Sequence, residues 1–454
     1  MSQSDMSAEW APSARPLNKK DFKTLGLSSL GGTLEFYDFV IYALYVDLIV
    51  APLFFPSSLS EFTREMFAWG IFAAGYLIRP VGGIIMAHFG DKFGRKQMFT
   101  LSVALMALPT FIIGILPTYE TLGSFGILSP ILLLLMRMLQ GAAIGGEMPG
   151  AWVFIAEHTP KNRYGLGIGV LTSGITGGIL LGFIVTIIVK LFFTDKEVLD
   201  YAWRIPFIIG GVFGIISVYL RRFLSETPIF KELAARKALE KNIPVVAVIK
   251  EHKMACLLVA LVTWSLSTTI MVGVLITPGK ILGGIYKIPE TDFRIAGCIV
   301  ALMLTIGCIL FGWLEDKIGT AKNMLIAWGG LAITSLYFYA SLSINMELST
   351  LYFNYGLFGL FTGAIATTPI VGTRAFPPAI RYSGLSFSYN LAYALFSAIT
   401  PPLTAYLLSP EHILGEYFYM GAGLYIAFVA VLGALTGLWP LARTGWQPVK
   451  KANI

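Results

Sequence analysis

Long apolar runs, broken by short polar stretches, divide almost the whole chain. A membrane-crossing helix needs about 20 mostly apolar residues. Twelve segments approach or exceed that length: 25–50, 66–89, 97–116, 127–155, 164–189, 205–220, 254–278, 295–314, 323–344, 350–373, 382–408 and 417–440. The sixth is short as drawn, and its helix is expected to begin near Tyr201. Glycine punctuates many of the segments, which suits close packing of helices in lipid. The pattern predicts an all-α integral membrane protein that crosses the bilayer twelve times. The lipid bilayer is therefore its first partner.

The polar connections fix the expected orientation. If the N-terminus is inside, 24 Lys and Arg fall on the inner side and 7 on the outer, with Arg79 and Arg137 inside spans. Short cytoplasmic loops carry the excess of positive charge, so both termini are expected in the cytoplasm. The longest charged connection lies between the sixth and seventh spans. The chain then divides into a cytoplasmic tail (1–24), a six-helix half (25–224), a linker (225–253), a second six-helix half (254–440) and a cytoplasmic tail (441–454).

Composition agrees with this picture. The chain is 56% hydrophobic and 13% charged, against about 25% charged in ordinary soluble domains. A net charge of +7 could suggest nucleic acid, but the positive charge sits in short loops between apolar segments, so no nucleic-acid partner is expected. Residues 1–24 are polar and lack the apolar core of a secretory signal. Cys256, Cys298 and Cys308 all fall in apolar segments and form no disulfide or metal-binding pattern.

The two halves repeat. "GDKFGRK" (90–96) follows the second span and "EDKIGTAK" (315–322) the eighth, aligning Asp91 with Asp316 at an offset of 225. "PKNRYG" (160–165) precedes the fifth span and "PAIRYS" (378–383) the eleventh, aligning Arg163 with Arg381 at an offset of 218. An even number of spans per half makes such repeats parallel, related by an axis along the membrane normal.

Twelve spans in two parallel halves, with G-D-x-x-G-R-K after the second, resemble the major facilitator superfamily. "LEFYDFVIY" (34–42), "IRPVGG" (78–83), "RMLQGAAIGGE" (137–147) and "SYNLAYALF" (388–396) are similar to its metabolite:proton symporters. That group carries organic acids such as dicarboxylates, citrate and shikimate, and zwitterions such as proline and betaine. The resemblance implies a monomeric, multi-pass carrier in the cell membrane, the inner membrane if the source is bacterial. It would move a small molecule and a proton by alternating access. It also implies a cytoplasmic gate built from Asp91, Arg95, Glu157 and Arg163, with Asp316 and Arg381 as counterparts. Two features depart from the group: "EDKIGTAK" lacks the arginine that Arg95 supplies in the first half, and "TWSLSTTIMVGVLITPGK" (263–280) matches poorly. An atypical substrate pocket is expected.

The charges inside the spans are the candidate chemistry. At 1.5 Å of rise per residue, Glu35 lies roughly 16 Å and Asp38 roughly 21 Å above the cytoplasmic end of the first span, on one helical face. Arg79 and Arg137 lie at roughly similar depth in the second and fourth spans, with Glu147 lower. Ionisable groups at such depth are costly and mark function by default. Asp38, Glu35, Arg137 and Glu147 are therefore expected to handle the proton. Arg79, whose guanidinium forks to match a carboxylate, is expected to grip substrate. As drawn, no span of the second half contains Asp, Glu, Lys or Arg. Neutral groups there, Trp264, Asn354, Tyr389, Asn390 and Tyr393, are expected to complete the pocket with Tyr37 and Tyr42. His88, His158, His252 and His412 read as interfacial or loop residues, and Trp69 and Trp203 as interfacial anchors.

No G-x-x-x-x-G-K-[ST] loop occurs, so ATP is not expected to drive the protein directly. No G-x-S-x-G, H-E-x-x-H or C-x-x-C occurs either. No enzyme activity, cofactor or metal is expected. A drug:proton antiporter is the first rival, but "TSGITGGILLG" (172–182) lacks the proline typical of the fifth span in such exporters. A non-transporting membrane sensor is the second, and stoichiometric proton uptake would separate it from a carrier.

Overall fold

The computed structural model describes residues 13–235, 244–343, 345–409 and 414–446, apart from a few side chains that include those of Glu35 and Arg95. Among the described residues, eleven helices are long and apolar enough to cross a membrane: Lys19–Leu53, Glu61–Phe93, Lys96–Ile115, Leu128–His158, Lys161–Phe192, Arg204–Arg221, Lys253–Ile285, Glu290–Ile318, Thr320–Ser341, Leu348–Arg374 and Tyr417–Thr436. Between the last two runs Arg381–Leu407, a helix of 27 residues. It is less apolar because Ser383, Ser386, Ser388, Tyr389, Asn390 and Tyr393 turn into the protein and are buried. It completes the twelve spans. The sixth starts at Arg204, three residues beyond Tyr201.

Apolar residues also cover the outside. Ile215 and Ile333 are each 70% exposed, as residues facing lipid must be. Many helices extend past the hydropathic segments, so the second half does carry buried charge near its span ends: Arg294, Glu315 and Arg381. The connection between the sixth and seventh spans holds two short helices, Pro228–Ala235 and Pro244–Glu251.

Helix neighbours repeat from half to half. The first span packs on the fifth as the seventh packs on the eleventh. The third packs on the sixth as the ninth packs on the twelfth, and the second on the fourth as the eighth on the tenth. Between the halves run two matching seams, the fifth span on the eighth and the eleventh on the second.

Local sequence shapes the spans that carry the candidate chemistry. The second span is interrupted at Ile78, between Glu61–Leu77 and Arg79–Phe93. Pro80 explains the break, since it lacks an N–H and clashes with the preceding turn. The second and fourth spans then cross at glycines. A Cβ on Gly141 would lie 1.9 Å from the Gly75 carbonyl oxygen, and one on Gly145 would lie 2.2 Å from that of Arg79. No larger residue permits this approach. In the seventh span, Thr269–Ile285 is wound as π-helix around Pro278.

Candidate functional site

The break at Ile78 sets Arg79 between the two halves, 2% exposed. Its guanidinium carbon lies 4.2 Å from the ring centre of Tyr393, 5.5 Å from that of Tyr389 and 5.6 Å from that of Tyr76. Tyr76 and Tyr393 stack across the seam at 5.4 Å, and Trp152 meets Tyr389 edge-on at 5.0 Å. Aromatic faces attract a cation but accept no strong hydrogen bond. Arg79 Nε and Nη2 and the Tyr389 hydroxyl have no hydrogen-bond partner. Tyr389 and Tyr393 also line a central cavity of about 20 Å³ with Phe36, Trp152, Thr176 and Ile270. That is room for about one water, so the site is closed around its own side chains.

Arg137 is separate. Its guanidinium carbon stands 4.1 Å from the Tyr42 ring centre and 4.5 Å from that of Phe39, and its Nη1 donates to Gln140 Oε1 at 2.8 Å. Asp38 is separate again, 1% exposed, in a cleft against Gly210 and Gly214 of the sixth span. Its Oδ1 has no hydrogen-bond partner. Glu147 forms a buried ion pair with Arg221 at 2.7 Å and accepts from Ser102 at 3.0 Å.

These positions give each of the charges that the sequence sets at similar depth its own separate surroundings. Asp38 makes no ion pair with Arg79 or Arg137 among the described residues. Glu147 is held by Arg221, which the hydropathy pattern leaves outside the sixth apolar segment because that segment ends just before it. The side chains of Glu35 and Arg95 lie outside the described ones. Of the expected substrate residues, the structure brings Arg79, Tyr389 and Tyr393 together. Tyr37 instead donates to the Pro206 carbonyl at 2.9 Å, and Tyr42 to that of Ala68 at 3.3 Å, while packing on Arg137. Trp264 stacks on Phe396 at 4.5 Å and donates to the Tyr425 hydroxyl. Asn354 donates to Ser341, and Asn390 to the Gly145 carbonyl across the seam. Tyr76 and Trp152 were missed; Tyr76 lies one helical turn before Arg79, a spacing that could have flagged it. Trp203, expected at the interface, is fully buried against Phe54 and Phe207.

The side that carries the Asp91 and Asp316 loops is closed by cross-half bonds. Asp91 Oδ2 accepts from the Ser383 amide at 2.9 Å and its hydroxyl at 2.7 Å. Asp316 accepts from the amides of Gly165 at 2.7 Å and Leu166 at 2.9 Å. Each carboxylate thus sits at the start of a span in the other half, where free N–H groups and the helix dipole favour negative charge. Glu157 and Arg381 pair at 3.4 Å, both fully buried, and Thr227 of the linker donates to Glu157 at 2.7 Å. Arg163 is half-buried and joins none of these bonds.

The opposite side is looser. A cavity of about 410 Å³ opens there between the halves, lined by Asp47, Trp69, Lys280, Glu290 and Arg294 among others. Long ion pairs cross it, Lys280 to Glu65 at 3.4 Å and to Asp47 at 3.6 Å, and Lys190 to Glu290 at 3.5 Å. Lys190 also pairs with Asp195 in the adjoining loop and holds that carboxyl below its ordinary range.

The sequence model of the Major Facilitator Superfamily matches residues 39–401. The chain belongs to this superfamily. It is 34% identical over 415 residues to a putative proline/betaine transporter of Staphylococcus haemolyticus, covering 90% of this chain and 86% of that one. It is 32% identical over 445 residues to the proline/betaine transporter of Escherichia coli, covering 95% and 85%. Among solved structures it is similar to the proton:xylose symporter XylE bound to 6-bromo-6-deoxy-D-glucose, with a TM-score of 0.74 and 17% identity over 91% of this chain and 94% of that one. The inward-open form of the xylose transporter from E. coli gives a TM-score of 0.61 at 18% identity, over 92% and 96%. This chain is accordingly a multi-pass membrane transporter and not an enzyme.

Proposed function

We propose that the protein is a proton-coupled symporter of a small carboxylate-bearing metabolite. Zwitterions of the proline and betaine type are the first candidates and organic acids the second. One observation carries this reading: a buried arginine, between the halves and caged by tyrosines, keeps donors without partners. A buried cation lacking an acid is costly, and a substrate carboxylate supplies the missing acceptors in bidentate form. The tyrosine faces suit the cationic end of a zwitterion. The names of the 34%- and 32%-identical relatives support the substrate class.

Asp38 is the proton carrier in this reading, since among the described residues it is a fully buried acid inside a span with no ion-pair partner. The two six-helix units, joined by 225–253, rock about Arg79 with both termini in the cytoplasm, and one chain suffices. The test is uptake into proteoliposomes of labelled proline, betaine, citrate and succinate under an imposed pH gradient. One of these should accumulate and be released by a protonophore. Arg79→Lys, which keeps the charge but loses the fork, should weaken its binding at least tenfold, about 1.4 kcal/mol. Asp38→Asn should still exchange substrate but no longer concentrate it. Accumulation that ignores the pH gradient, or unchanged affinity in Arg79→Lys, overturns the reading.

A further inference from the structure

The cavity opposite the Asp91 and Asp316 loops has the size of a binding site in its own right. It measures about 410 Å³, within the range of about 300–1,000 Å³ typical of small-molecule pockets. The space beside Tyr389 and Tyr393 measures about 20 Å³. Three spans bring charge and an aromatic ring to the larger cavity. Trp69 Nε1 of the second span donates to Asp47 Oδ1 of the first at 2.7 Å. Lys280 Nζ of the seventh lies 3.6 Å from Asp47 Oδ2 and 3.4 Å from Glu65. Trp69 is also the first rung of an aromatic ladder, edge-on to Phe72 at 5.4 Å, with Tyr76 a further 5.0 Å along. Arg79 follows Trp69 by ten residues, so about 15 Å of helix separates the two sites.

The Asp47–Lys280 pair selects the class of ligand. It is long, and the Lys280 side chain is half exposed; pairs of that kind contribute little and part readily. A ligand that comes between them must answer both charges. A plain anion would satisfy Lys280 and leave Asp47 without its partner, and a plain cation would do the reverse. A small zwitterion restores both contacts. Its carboxylate takes the Lys280 ammonium, and its cationic nitrogen takes Asp47 Oδ2 while Oδ1 stays on Trp69. A quaternary or secondary ammonium also finds the face of Trp69, the aromatic side chain best suited to a cation. The other charges of this cavity already answer one another. Arg294 Nε and Nη2 donate to Glu290 at 3.0 and 2.8 Å, and Glu290 also faces Lys190 at 3.5 Å. At the offset of 225, Arg294 corresponds to Trp69 and Glu290 to Glu65, so the indole face belongs to the first half alone.

We propose that Asp47, Trp69 and Lys280 form a second binding site, for a small zwitterion, at the mouth of the transport path and separate from Arg79. The inference rests on the reading of the protein as a carrier of carboxylate-bearing metabolites, and it narrows that class to zwitterions. Occupancy also loosens the mouth. Lys280 belongs to the second half, and both acids that it leaves, Asp47 and Glu65, belong to the first.

Gly279 lines the same cavity, and a Cβ there meets no atom within 4 Å, so Gly279→Cys is a reporter that fits. It is placed in the full chain, freed of the three native cysteines, in lipid nanodiscs, where both faces meet the reagent. Betaine or proline should slow its alkylation by a maleimide. Choline, which keeps the trimethylammonium group without a carboxylate, should not. Neither should tert-butylacetate, which has carbon in place of betaine's nitrogen. The half-protecting concentration should rise about tenfold or more in Asp47→Asn and in Lys280→Gln, since each removes a charged partner of the ligand. It should stay unchanged in Arg79→Lys. Asp47→Asn keeps an acceptor for Trp69 and loses only the charge; if it fails to fold, Lys280→Gln decides. A half-protecting concentration that moves with Arg79→Lys overturns the second site and leaves the Arg79 reading standing, because protection then reports the central site. Equal protection by choline or tert-butylacetate overturns the assignment to zwitterions. Protection by neither betaine nor proline, or a reporter that does not react at all, overturns the second site, and pH-driven uptake then tests the carrier reading by itself.

Discussion

Glu147 and Asp38 are both buried acids of the first half, and their surroundings separate them. Glu147 meets the Arg221 guanidinium at 2.7 Å and the Ser102 hydroxyl at 3.0 Å. Asp38 meets glycines and a threonine. An acid so fully answered by a cation serves architecture, here pinning the fourth span to the end of the sixth. Removing one partner of such a pair strands the other's charge, which typically costs about 3–5 kcal/mol. Glu147→Gln should therefore lower thermal stability clearly, whereas Asp38→Asn, which removes no ion pair, should not. Scanning calorimetry or a thiol-reactive melting assay of the two variants checks this. Equal melting temperatures for Glu147→Gln and the native protein would return Glu147 to the candidates for proton transfer.

At the scale of the helix, the fourth span is a scaffold for the second. Gly145 lies against the Arg79 carbonyl so closely that a Cβ would stand 2.2 Å away. Gly145→Ala must push the spans apart at the point where the second is already broken. Overpacking of this kind costs about 1–3 kcal/mol, and here it would also displace Arg79 from Tyr389 and Tyr393. The expected outcome is a protein that still folds but binds substrate at least tenfold more weakly; unchanged affinity would mean that Arg79 is not held by this crossing. Much of this level is legible in the sequence. Hydropathy locates the spans because lipid demands long apolar helices, and "IRPVGG" marks the break because proline is stiff. Other parts are not legible. Periodicity gives the face of a helix but not which helix lies opposite, so the partners of Asp38 and Glu147 stay hidden. Arg221 is missed because a helix continues past its last apolar turn. The π-winding of Thr269–Ile285 has no hydropathic signature, since the shift from i−4 to i−5 bonding leaves composition unchanged.

For the whole molecule, the internal repeat explains the closure at the Asp91 and Asp316 loops. Asp91 accepts from the Ser383 amide, and Asp316 from that of Gly165. Residues 91 and 316 correspond at the offset of 225, and 165 and 383 at 218. The latch is therefore made twice by the same device, once from each half. The outer bonds are of another kind: lysines reach acids at 3.4–3.6 Å beside an open cavity. Exposed pairs of that sort contribute about 0–1 kcal/mol, while hydrogen bonds to a charged group contribute about 1.5–3 kcal/mol each. The balance favours closure at the Asp91 and Asp316 loops and an opposite face that opens readily. Asp91→Asn and Asp316→Asn should each shift the population toward inward-facing states by about tenfold or more, since 1.4 kcal/mol is tenfold. Ser386, buried at the seam beside Gly145, is a reporter position. With Ser386→Cys in a background free of the three native cysteines, alkylation by a membrane-permeant maleimide should quicken in both variants. The two effects should be similar in size, because the two bonds are symmetry equivalents. Faster labelling in Asp91→Asn alone would assign the latch to the first-half loop. Unchanged labelling in both would leave Asp91 and Asp316 as helix caps without a part in gating.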